Sequence, residues 1–195
     1  LSTNKKSFFL TPIQTVFLAT MIASDFAFGM VVKNLLAPTH ILDVIRIDMI
    51  VPFMLMLVTR LIVDRFGVLI LYEAVWGVLS VIAMPGAFGL PGLLKLIPAI
   101  SQGIILDGLM SMFKPHHKTR VYVAAIVGGF ISTLLFFGLK ILLGMPWSVF
   151  VQILFGVQML TNVLVWFSGA FLTLVVFERV RNTQMLRRIQ FAMEH

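Results

Sequence analysis

VYVAAIVGGFISTLLFFGLKILLG, residues 121–144, carries one charged side chain, Lys140, and that near its end. The run exceeds the roughly 18–20 apolar residues a helix needs to cross a bilayer. It shows none of the alternation expected of a roughly ten-residue barrel strand. It therefore reads as a membrane-spanning helix, and the rest of the chain agrees with it. Of 195 residues, 59% are hydrophobic and 12% charged, with a mean hydropathy of +1.03. A soluble domain is roughly 45–50% apolar and about 25% charged. There is too little polar surface here to cover a soluble globule.

Working outward from that run, the sequence divides into six predicted spans: residues 11–32, 49–63, 68–84, 93–113, 121–143 and 148–177. Thr11 reads as the N-cap of the first, with Pro12 at the first helical position, where a missing N–H costs nothing. DRFG, MPGAFGLPG, KPHHKTR and GMPW are the polar or Gly/Pro-rich connections. The last stretch, 178–195, places Met185, Ile189 and Met193 at helical spacing with Arg181, Arg187 and Arg188 mostly elsewhere. That pattern predicts a basic amphipathic helix resting on lipid headgroups. The expected fold is an all-α integral membrane protein, a six-helix bundle forming one transmembrane domain over 1–195, with no internal repeat.

Charge sets the expected orientation. Lys5, Lys6, Arg60, Arg65, Lys114, Lys118, Arg120, Arg179, Arg181, Arg187 and Arg188 fall on one side, against Lys33, Arg46, Lys95 and Lys140 on the other. By the positive-inside rule both termini are cytoplasmic in a plasma-membrane protein. The net charge of +7 is thereby a matter of topology, since no soluble basic domain exists to hold nucleic acid. No cleavable signal peptide is expected, because the basic N-terminal residues lead directly into a long span. With no cysteine, disulfides and thiolate metal sites are excluded. His116 and His117 are adjacent, and His40 and His195 lie far off, so no metal site or other cofactor is expected. Phosphate-cradling, nucleophile-elbow and zinc-protease patterns are all missing.

In the first span, LATMIASDFAFGM (18–30), Ala19, Ala23 and Ala27 form one stripe and Asp25 falls nearly opposite. Small-xxx-small rows let membrane helices approach closely. The stripe fits packing inside the chain's own bundle or docking of another membrane subunit. Asp25, costly if it faces lipid, reads as a substrate or cation contact, or as a structural partner of Lys33 or Lys95. In the last span, Gln158, Asn162 and Trp166 recur at i, i+4 and i+8 beside Thr161. They suit a pocket that bonds a polar solute and stacks its ring, or simple interhelical bonds. Lys95, Pro98 and Gln102 share a face just after the Gly/Pro loop, where a helix start and a cation would together hold an anion, unless Lys95 only snorkels to the headgroups. Glu73 and Asp107 read as structural partners of Arg60 or Arg65, or as parts of a proton path. With Arg46 and Lys140, Lys95 hints at an anionic ligand, although Asp43 and Asp48 lie close to Arg46.

Taken together, the length, the six spans, the AxxxAxxxA row and the outer loop segment GAFGLPGLLKLIPAISQGIILD resemble the substrate-binding S components of energy-coupling factor (ECF) transporters, over roughly residues 10–180. The resemblance implies a non-enzymatic subunit that captures a vitamin or precursor near the outer face. It also implies docking on a transmembrane coupling subunit driven by two ATPase subunits. On this likeness Ala19, Ala23 and Ala27 form the docking face. Gln102, Gln158, Asn162 and Trp166 are the pocket, Lys95 and Trp147 lie nearer its mouth, and Asp25 looks inward. The rival expectations are a membrane enzyme or secondary carrier using Asp25, Glu73 and Asp107. A further rival is a scaffold that uses small-residue rows, Gly128, Gly129 and Ser132 among them, only for assembly.

Overall fold

The computed structural model describes residues 10–36, 46–84, 90–113, 116–184, 186 and 189. The expectations resting on Lys5, Lys6, His40, Asp43, Lys114, Met185, Arg187, Arg188, Met193 and His195 lie outside the described residues. The described chain is all-helical: α1 (Pro12–Leu36), α2 (Ile50–Val63, preceded by a 3-10 turn at Ile47–Met49), α3 (Val68–Ala83) and α4 (Leu96–Met112, preceded by a 3-10 turn at Gly92–Lys95). There follow α5 (His117–Leu142), α6 (Trp147–Phe155) and α7 (Val157–Val180). Among the described residues, four helices are long and apolar enough to cross a membrane: α1, α4 with its leading turn, α5 and α7.

Each boundary has a local cause. At the start of α1, the Gln14 N–H donates to Thr11 Oγ1 and the Thr11 N–H donates to Gln14 Oε1. This reciprocal capping box satisfies two of the donors a helix start leaves open. α2 ends where Asp64 turns into the left-handed region (φ 38°), its N–H donating to the Arg60 carbonyl. α3 is capped at both ends from α4 and the turn before it. At its start the Gly67 and Leu69 N–H groups donate to Asp107 Oδ2, each at 2.9 Å. At its end Lys95 Nζ donates to the carbonyls of Ser80 and Met84. An anion at a helix start and a cation at its end both match the helix dipole.

Two features depart from the expected pattern. The last span is not one helix: at Gly156 the backbone is extended (φ −95°, ψ −177°), separating α6 from α7. A β-carbon at Gly156 would collide with the Gln152 carbonyl oxygen, so the break suits glycine. The unbroken apolar run across 148–177 hides it. In α5, residues Ala124–Gly128 form a π-helical turn, which periodicity does not announce. At the C-terminal end, the described apolar residues Leu186 and Ile189 are buried against Val58 and Ile62 of α2, and Gln14 Nε2 donates to the Ile189 carbonyl. Ile189 therefore packs on protein, where a headgroup contact was expected, because α1 and α2 leave an apolar groove for it.

The connections from α2 to α3 (64–67) and from α5 to α6 (143–146) are four residues each. α2, α3, α4, α5 and α7 close into a ring, and α1 packs on its flank against α2 and α3. One end of the bundle is tied by charge. Buried Arg60 donates to Asp107, Asp64 and Ser111, and buried Arg120 donates to Asp64. Two arginines and two aspartates balance there. The opposite end holds Arg46, Lys95 and Lys140. The outside is apolar: Leu160, Leu164, Phe167 and Phe171 of α7, and Leu71, Val75, Val78 and Ile82 of α3, form exposed stripes. Charged groups inside and large apolar stripes outside are the surface of a membrane-embedded protein.

Candidate functional site

Inside the ring, toward the Lys140 end, lies a cavity of about 420 Å³, within the roughly 300–1,000 Å³ typical of small-molecule sites. α4 contributes Pro98, Ala99 and Gln102, and α7 contributes Gln158, Asn162 and Trp166. α3 adds Glu73, α2 adds Phe53, and α5 presents Ser132, Thr133, Phe136, Phe137 and Lys140. The four residues expected in a pocket, Gln102, Gln158, Asn162 and Trp166, are thus brought together from two helices distant in sequence.

The indole has a fixed seat. A β-carbon on Gly129 would lie 2.5 Å from Trp166 Cδ2, so only glycine lets the ring lie flat against α5. Gly128 likewise packs against Leu106. The expected assembly row of Gly128, Gly129 and Ser132 accordingly faces the interior, where two of its members admit neighbouring side chains. Ser132 Oγ, on the cavity wall, is buried and has no hydrogen-bond partner among the described residues. At the other end of the cavity the Lys140 ammonium sits 4.6 Å from the centre of the Phe136 ring, a cation–π contact.

Three expected site residues lie elsewhere. Lys95 is fully buried and its ammonium is spent on the end of α3, so neither an anion site nor snorkelling describes it. Trp147 is 65% exposed and packs on Phe150, with ring centres 5.0 Å apart, outside the cavity. Asp25 is buried, as expected, but in a small neighbouring cavity of about 40 Å³ lined also by Lys33, Asp48, Glu73 and Gln102. There the Tyr72 hydroxyl donates to Asp25 Oδ2 at 2.8 Å, while Oδ1 has no partner among the described residues.

Glu73 links the two spaces, lining both. It is 9% exposed and makes no hydrogen bond or ion pair among the described residues. The expected pairing with Arg60 or Arg65 is not made, because both arginines belong to the tied end. Asp107 does pair with Arg60, and its second oxygen caps α3, so it shares no site with Asp25 and Glu73. Glu73, Ser132, Phe136 and Phe137 line the cavity beyond the residues that the sequence places in a pocket. The signal for Glu73 was available in its place on one face with Trp76 and Ser80.

α1 separates two kinds of surface. Leu18, Ile22, Asp25 and Gly29 are buried, while Ala19, Ala23 and Ala27 are exposed. The hydroxyls of Thr15, Thr20 and Ser24 on the exposed side donate to carbonyls one turn back, so no loose donor faces outward. No cluster of three or more metal-ligating side chains occurs among the described residues. Compared with known proteins, the chain matches no family model, no curated protein and no solved structure.

Proposed function

We propose that the chain is the substrate-capture subunit of an ECF-type uptake transporter, holding a small polar, ring-bearing solute in the 420 Å³ cavity. The observation that carries this reading is the separation of two surfaces. Gln102, Gln158, Asn162 and Trp166 line one cavity within the ring, while Ala19, Ala23 and Ala27 stay exposed on the flank helix. A concave amide-and-indole pocket suits a small molecule, and an exposed small-residue face suits a second membrane helix.

In this reading six spans cross the plasma membrane, with α2 and α3 as the short ones and α6–α7 as the last. Both termini are cytoplasmic, the tied arginine end faces the cytoplasm, and the Lys140 end faces out. The solute is a vitamin or a precursor, the partner is a transmembrane coupling subunit, and two ATPase subunits supply the energy. A membrane enzyme or self-sufficient carrier built on Asp25, Glu73 and Asp107 is less well supported, because Asp107 is committed to Arg60 and the start of α3.

Native mass spectrometry of gently purified protein tests the proposal. A stoichiometric small molecule is expected, lost in Asn162→Ala and Trp166→Ala but kept in Ala23→Trp. Solute-free protein with no thermal shift across a panel of vitamins and precursors would overturn it.

A further inference from the structure

The charges around the two cavities can be matched one against another. Arg46 is held by Asp48 through two contacts, Nε to Oδ1 at 3.1 Å and Nη2 to Oδ2 at 3.3 Å. Lys33 shares the small cavity with Asp25, Asp48 and Glu73, and the acids its charge acts on are Asp48 and Asp25. Lys95 is turned onto the carbonyls that end α3. Two groups on the large cavity are left without an opposite charge among the described residues: Glu73 on α3 and Lys140 near the end of α5.

These two lie at different depths. Gly103 meets Leu69, and Gly77 meets Leu96 and Ala99, which sets Glu73 level with about residue 101 of α4. Gly128 meets Leu106, and Lys140 lies three turns further along α5. At 1.5 Å per residue the two charged groups are separated along the bundle by on the order of 10 Å. Between them stand the Phe136 and Phe137 rings, while the Trp166 indole, seated on Gly129, lies on the Glu73 side of the cavity. A buried carboxylate without a counter-charge is costly, and a ligand that brings the cation removes that cost.

Resting on the reading of this cavity as a solute site, we infer that its ligand is a dipolar, ring-bearing solute. Its basic nitrogen sits against Glu73, and its acidic group faces Lys140. Ser132 Oγ, buried and without a partner, offers a further hydrogen bond beside the ring. The net-anionic ligand suggested by counting lysines and arginines is replaced by a zwitterion, because Lys95 and Arg46 are already committed and Glu73 is not.

The test is isothermal titration of the full chain in lipid nanodiscs with four probes: 4-(aminomethyl)benzoic acid, benzylamine, benzoate and benzyl alcohol. The zwitterion is expected to bind best, then benzylamine, with benzoate weakest. Glu73→Gln should weaken both amine-bearing probes about tenfold or more, the worth of a charge-assisted hydrogen bond, and leave benzyl alcohol unchanged. Lys140→Met should weaken the zwitterion and spare benzylamine. The wild-type ranking stands as a test even if a variant does not fold. If benzoate or benzyl alcohol binds as tightly as benzylamine, or Glu73→Gln leaves the amines unaffected, the dipolar inference falls and the cavity remains a solute site. If none of the four binds saturably to the wild type, the dipolar inference falls, and the native mass spectrometry and vitamin panel decide separately whether the cavity is a solute site.

Discussion

At the scale of single residues, the chain uses its few buried charges in two opposite ways. Asp107 is completely satisfied: one oxygen takes the Arg60 guanidinium and the other takes the N–H groups that open α3. Asp107→Ala removes both, leaving Arg60 buried without its main counter-charge, and should cost about 3–5 kcal/mol of stability. Denaturant unfolding in mixed micelles measures this. Glu73 has nothing to lose in the ligand-free protein, so Glu73→Gln should leave the unfolding midpoint unchanged or raise it. The pair of variants thus separates a carboxylate that holds the bundle together from one that awaits a partner. Both acids look alike in the sequence, each one charge in an apolar run. What distinguishes them is whether an arginine from another helix arrives, and residue spacing carries no record of that.

At the scale of elements, the helices were legible and their interruptions were not. Apolar runs bounded by DRFG, KPHHKTR and GMPW mark the helix ends to within a few residues, because a helix of that composition stops only where polar or Gly/Pro residues force it. Gly156 breaks the last run with apolar residues on both sides, and the π turn of α5 is written entirely in apolar residues, AAIVG. Neither disturbs the pattern. The amide row of α7 was readable as a pocket face since i, i+4 and i+8 lie on one side of any helix. The wall from α5 was not, since it depends on Gly129 admitting Trp166. Gly129→Val should push the indole off α5 and lower solute affinity about tenfold or more, read by titration of whichever solute co-purifies. Ala23→Trp, on the far face of α1, should leave both solute binding and melting temperature unchanged while abolishing co-purification of the proposed coupling subunit. Loss of folding in that variant would show that the alanine row packs within the chain.

At the scale of the whole molecule, the proposed topology can be checked directly, because a chain without cysteine accepts single reporters cleanly. Cysteines placed at Met112 and Thr183 should react with an impermeant maleimide only from the cytoplasmic side, and one at Ser148 only from outside. Reaction of all three from one side would overturn the six-span reading. The helices differ greatly in length. α3 has 16 residues and α5 has 26, or about 24 Å against about 39 Å of rise. The hydrocarbon layer is about 30 Å thick, so in the proposed six-span topology α3, with its exposed Leu71, Val75, Val78 and Ile82, is too short for it and α5 is too long. Lipid must thin along the α3 flank, and it must stretch along the α5 flank unless the protein leans. Leaning relieves the mismatch of α5 but shortens the span of α3 further, so thinning at α3, at fractions of a kcal/mol per Å, opposes the tilt that α5 favours. The acyl chains of the host membrane therefore set how upright the protein stands, and any movement that changes its tilt is driven or resisted by membrane thickness.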